Sequence, residues 1–159
     1  MDTSAATVPA SPSPTRARRY RAPADVRWFL VALRRAWLVR RRLDLPLRET
    51  IDTLAALGPA NPPSPDTAWV AAVRAAGRVK RLAGAPDTCL VRALVAGSLL
   101  AARGDVRLHL GYRPGQPDRP VDGHAWLAGA DFELGRDSAA GPPHEPALTL
   151  SFPAPRSDP

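Results

Sequence analysis

Apolar residues recur at spacings of three and four along the first two-thirds of the chain and at spacings of two along the rest. The first block opens at Asp25, a residue able to cap a helix, and sets Val26, Phe29, Leu30, Leu33 and Trp37 on one face. Arg27, Arg34 and Arg41 line the opposite face, so the pattern predicts an amphipathic helix that buries the apolar stripe. "LDLP" ends it before Pro46, and "PLRETIDTLAAL" predicts a short second helix stopped by Gly58-Pro59. "NPPSP" reads as a linker or tight loop. Asp66 or Thr67 is expected to cap a third helix running to about Leu82, with Trp69, Val70, Val73, Val79 and Leu82 as its apolar members and Gly84 at its end.

The stretch "PDTCLVRALVAGSLLAARG", residues 86–104, predicts a fourth helix. Asp87 or Thr88 is its natural cap, and Leu90, Leu94, Val95, Leu99 and Leu100 bury it. After Gly104 the period changes to two: "VRLHLGY" puts Val106, Leu108, Leu110 and Tyr112 on one face of a strand, with His109 on the solvent side. "PGQPDRP" reads as a turn-rich loop, and "GHAWLAGADFEL" as two short strands turning near Gly129-Ala130. "ALTLSF" adds a last strand, and His144 falls in the Pro-rich "GPPHEP" loop before it. Helices followed by an antiparallel sheet define an α+β fold.

At 159 residues the chain suits one domain, expected over 24–152, with a helical lead-in at 24–83 and a catalytic core at 86–152. Residues 1–23, rich in Pro, Ser, Ala and Arg, have little to bury and are expected to be disordered; 153–159 form a second tail. The longest apolar run, "WFLVAL", is broken by Arg34-Arg35, and the N-terminus lacks a signal-peptide pattern, which points to a cytoplasmic protein without a membrane partner. The net charge of +7 is uneven: residues 1–48 hold 11 arginines against Asp2, Asp25 and Asp44. That basic third fits an acidic partner or a solvated face. One cysteine excludes an internal disulfide and a cysteine-based zinc site, and the motifs imply no metal and no organic cofactor.

That cysteine, Cys89, stands among the first residues of its helix. Unsatisfied N–H groups and the positive end of the dipole favour a thiolate there, the reactive form of a nucleophile. Alone the signal is weak, since a lone cysteine is more often an inert core residue. His124, in "DGHAW" with Trp126 on the same strand face, supplies a group that can take the thiol proton and return it to a leaving amine. An acid that fixes the imidazole tautomer completes the set. A Gly129-Ala130 turn pairs His124 with Gly135, flanked by Glu133 and Asp137; an Ala130-Asp131 turn pairs His124 with Asp137 directly. Asp137 is the first choice and Glu133 the alternative.

Cysteine, histidine and acid in that order, the first on a helix and the others on strands, is the transglutaminase and papain-like arrangement. "CLVRALVAGSLLAARG", a strand ending "GYRP", and "GHAWL" resemble the leader peptidases of lasso-peptide biosynthesis, a transglutaminase-like family of cysteine proteases. The resemblance covers residues 86 to about 137 and is specific in combination. It departs at Ala128, where the family usually has Glu, and at Arg136, which occupies the usual place of the acid with Asp137 one position later. The resemblance implies that Cys89 is the nucleophile, that His124 is the base, and that the substrate is a ribosomally made precursor cut between leader and core. With only about 24 residues before the first helix, the stand-alone form is expected. It works with a separate leader-recognition protein and an asparagine-synthetase-like lasso cyclase. Two alternatives remain: a related amidase or acyltransferase, because one thioester serves water or amines alike, and a small basic nucleic-acid-binding protein. The second lacks an aromatic RNA-binding signature or helix-turn-helix spacing, so no nucleic-acid partner is expected.

Overall fold

Among the described residues, four α-helices precede a four-stranded antiparallel sheet, as the change of apolar period predicts. They are α1 (Pro23–Arg40), α2 (Leu47–Ala55), α3 (Pro65–Ala83) and α4 (Cys89–Leu100), followed by β1 (Arg107–Gln116), β2 (Arg119–Ala128), β3 (Glu133–Leu134) and β4 (Glu145–Ser151). The computed structural model describes residues 23–58, 60–84, 86–116, 119–136 and 144–153, so nearly all of both expected tails lies outside the described residues. No helix among the described residues is long and apolar enough to cross a membrane.

The helix ends follow local chemistry. In α3 the cap is Ser64, two or three residues earlier than the expected Asp66 or Thr67: its hydroxyl accepts the Thr67 N–H at 3.1 Å, and Pro65 occupies the first helical position. Ser64 is the better cap because Pro65 needs no acceptor for an N–H and brings a φ suited to a helix start. Gly84, at φ 61°, closes the helix by donating its N–H to the Lys80 carbonyl at 2.9 Å.

The faces that α1 and α3 bury match those the apolar pattern selects only in part: Val79 is buried, and Phe29, Leu33, Trp37 and Trp69 pack half-buried against the core. Val26 and Leu30 are 51% and 56% exposed, and Val70 and Leu82 are exposed as well. The buried positions of α1 are Trp28, Ala32, Arg35, Ala36 and Val39; those of α3 are Ala68, Ala71, Ala72, Ala75, Ala76 and Val79. The two helices form the most extensive helix–helix contact of the fold, and alanine faces let their backbones approach closely. Arg35 is buried with them. It donates to the Ser98 carbonyl in the last turn of α4 and to the Gly58 carbonyl at 2.9 Å, so a cation meets the negative end of a helix and satisfies its open acceptor. Burial, and then the charge of Arg34, lowers the Arg35 pKa from its ordinary value.

At the centre, α4 is buried from Ala93 to Leu100 and touches α1, α2, α3, β1 and β2. Gly97 carries the contact with the sheet: a Cβ there would collide with the Phe152 ring and crowd Leu127. Phe152 is fixed in turn by its N–H bond to the Val106 carbonyl at 2.9 Å. The sheet order is β3-β2-β1-β4. β1 and β2 pair from Arg107↔Ala128 to Gln116↔Arg119, so the expected "PGQPDRP" loop is largely strand. Leu108 and Leu127 face one another on the helix side. Tyr112, expected on that face, is exposed.

Candidate active site

Cys89 is the first residue of α4. Thr88 caps the helix with extended backbone, its Oγ1 accepting the Val91 N–H at 3.3 Å. Asp87, the other candidate cap, instead accepts two bonds from Arg92, at 2.7 and 2.9 Å. This two-point pairing fixes the turn that leads into Cys89. The Arg92 hydrogen bond lowers the Asp87 pKa against the opposing effect of burial, with smaller help from the charges of Arg92 and Lys80. The same bond raises the Arg92 pKa, opposed by burial; the charge of Asp87 and then that of Cys89 add to the rise. The thiol therefore lies within electrostatic reach of a guanidinium. Cys89 itself is half-buried and packs against the hydrophobic core.

His124 lies on β2 opposite Gly111. Its Nε2 and the Gly135 carbonyl are 2.5 Å apart, and since a carbonyl only accepts, Nε2 carries the proton of that bond. In the neutral imidazole, Nδ1 is then the proton-accepting nitrogen. Gly135 has φ 78°, and a Cβ on it would run into the Trp69 ring of α3. The carbonyl that orients His124 thus depends on a residue with no side chain, backed by a helix from the other layer.

Rings stack on both sides of this histidine. His144 lies 4.9 Å from His124 at 29°, and Trp126 lies 6.1 Å away at 15°. Beyond Trp126 come His109, at 5.3 Å, and the Arg136 guanidinium, at 5.6 Å over the indole. Trp126 is only 2% exposed, and Gly111 leaves room for its ring. His109, expected on the solvent side, is held half-buried in this stack by Trp126 and by Thr149, whose hydroxyl lies 2.9 Å from Nδ1. Burial, joined by the charge of Arg107, lowers the His109 pKa; Glu133 opposes this and Arg136 adds to it. His144 is 4% exposed and was invisible as a site residue, because twenty positions and a Pro-rich segment separate it from His124. Gly135 and Trp69 likewise carry no local signal of a role.

The hairpin adopts one of the two expected registers. Leu127 pairs with Leu134, Ala128 with Glu133, and the Gly129 N–H bonds the Phe132 carbonyl at 2.9 Å around an Ala130-Asp131 turn. This is the register for which the sequence pairs His124 with Asp137, a residue that lies outside the described residues. Glu133 is exposed and bonded to Arg136 at 2.9 Å. Leu127 turns toward α4, so strand alternation directs His124 and Trp126 to the other face of β2. Among the described residues no three His, Cys, Asp or Glu side chains gather as a metal site would require.

Comparison with known proteins adds one finding. A model of the transglutaminase-like superfamily matches residues 27–144. No curated protein and no solved structure matches the chain. The matched span includes all four helices beyond the first turn of α1, the Cys89 helix start and the His124 strand. The chain belongs to the transglutaminase-like superfamily, which includes cysteine peptidases.

Proposed function

We propose that this protein is a cysteine peptidase that removes the leader from a ribosomally made precursor in lasso-peptide biosynthesis. One observation carries the reading: Cys89 opens the capped central helix of a transglutaminase-like domain, while the "HAW" histidine, His124, has its tautomer set for proton acceptance at Nδ1. The Cys-Leu-x-Arg helix and the His-Ala-Trp strand of the lasso leader peptidases supply the substrate class.

In this reading the Cys89 sulfur attacks the carbonyl carbon at the leader–core junction, and the first-turn N–H of Cys89 receives the developing oxyanion. His124, having taken the thiol proton, gives it to the amine of the departing core as the C–N bond breaks. Water then attacks the leader thioester, His124 accepts its proton, and the sulfur leaves with the leader carboxylate released. For this the His124 ring must turn from the β2 face it occupies, opposite Leu127, to within proton-transfer reach of the thiol at the start of α4. Asp137 is the proposed acid behind His124, sharing the Nε2 proton with the Gly135 carbonyl that supports the same ring from the backbone.

The partners are the precursor, a separate leader-recognition protein that raises the local substrate concentration, and an asparagine-synthetase-like cyclase that consumes the freed core. The test is to mix the chain with a precursor and a leader-recognition protein from one lasso gene set and map the products by mass. A single cut at the leader–core junction, faster with the leader-recognition protein than without it, supports the reading. Intact precursor under both conditions contradicts it.

A further inference from the structure

Exposed Val26, half-buried Val73 and Phe29, which also packs against the core, meet along one groove. Val26 and Phe29 of α1 and Val73 and Gly77 of α3 line a cavity of about 790 Å3, together with Arg74, Arg78 and Arg81. Exposed Leu30 lies one turn from Val26, and exposed Val70 one turn from Val73, so both apolar stripes run past the cavity. The groove reaches Asp87, two residues before Cys89; its Oδ2 lies 3.8 Å from where a Cβ on Gly77 would stand.

We propose that this groove docks an acidic, apolar-studded segment of the peptide substrate beside the bond presented to Cys89. The proposal rests on the peptidase reading and extends it to what the substrate must carry. Charge selects the occupant. Arg78 and Arg81 line the groove beside Arg74, which has a partner of its own, and the carboxylate at the groove's end is already held by both bonds from Arg92. The N-terminal segment of the chain is a poor occupant, because Arg16, Arg18, Arg19 and Arg21 outweigh Asp2 and would meet like charge. A second copy is disfavoured in the same way by the net charge of +7. A nucleic-acid backbone would pair with Arg78 and Arg81 yet leave Val26 and Val73 without apolar partners from the ligand, whereas a peptide with both kinds of side chain matches both.

The test reads binding apart from cleavage. A short fluorescein-labelled peptide, with Leu at helical spacing and Glu between, is titrated against the full chain carrying Cys89→Ala, and anisotropy is recorded. Saturable binding is expected. It should weaken about tenfold or more when Arg78→Glu and Arg81→Glu are combined, because like charge then faces the peptide. Arg41→Glu with Arg48→Glu, the same charge change placed away from the groove, should leave the affinity nearly unchanged. A Leu/Lys peptide should bind the Arg78→Glu, Arg81→Glu chain better than the parent. Equal losses from both arginine pairs, an affinity indifferent to Arg78 and Arg81, no saturable binding, or stronger binding by an oligonucleotide of equal charge would overturn the proposal. Because the thiol is absent, the groove stands or falls independently of cleavage. Conversely, a groove variant that cleaves precursor at the parental kcat/KM would remove the groove and leave the peptidase reading intact.

Discussion

The Nε2 proton of His124 is held by a backbone carbonyl, and that carbonyl exists where it does because position 135 is glycine. Gly135→Ala would impose a left-handed φ on a residue with a Cβ, at about 1–2 kcal/mol, and press that carbon into Trp69. Stability should fall by at least that much. Turnover should fall further than instability explains, because the imidazole loses its orienting acceptor; thermal unfolding and cleavage kinetics on one preparation separate the two. The carboxylates offer a second comparison. Glu133 is exposed and engaged by Arg136, so Glu133→Gln should cost well under about 1 kcal/mol and leave turnover nearly unchanged. Asp137→Asn should preserve the fold yet lower turnover by about a hundredfold or more, as loss of the orienting acid does in such triads. The reverse ranking would assign the acid to Glu133.

Among the elements, the helical period was legible in the sequence and its phase only in part: Val79, Phe29, Leu33, Trp37 and Trp69 meet the core as the apolar pattern selects, while Val26, Leu30, Val70 and Leu82 do not. Leu30, Val26 and Leu82 outweigh alanine on any hydrophobicity scale, so the stripe they define looks like the core. The close contact of α1 with α3 instead favours the small residues Ala32, Ala36, Ala72 and Ala76, whose burial depends on the partner helix. The same limit hid Arg35, whose acceptors lie at Ser98 and Gly58, and His144, whose stacking partner is on another strand. What could be read locally, Cys89 at a helix start and His124 sharing a strand face with Trp126, the structure places there. Ala36→Leu should therefore destabilise the fold by about 1–3 kcal/mol through overpacking. Leu30→Ala should change stability by no more than about 0.5 kcal/mol, as for an ordinary surface position. Chemical denaturation of the two variants distinguishes the alanine face from the leucine face as the core.

For the whole molecule, the turn into α4 makes stability depend on acid. Arg92 lowers the Asp87 pKa in the folded chain below its unfolded value. The pair's contribution is fully present above the ordinary carboxylate range and is lost as pH falls through the folded pKa. Asp87→Asn should lower stability at neutral pH, and the gap from the parent should narrow as the pH falls into that range; melting temperatures across pH check it. A gap independent of pH would mean that the ion pair adds nothing as an ion pair. The same turn delivers Cys89, the sulfur proposed to carry the acyl group. Precursor is mixed with the full chain and the leader-recognition protein, the reaction is quenched in acid within the first turnover, and intact protein mass is recorded. A transient species heavier by the leader, as a thioester on Cys89, is expected, and neither this species nor cleaved core from Cys89→Ala. Core released by Cys89→Ala at the parental rate would rule out Cys89 as the nucleophile.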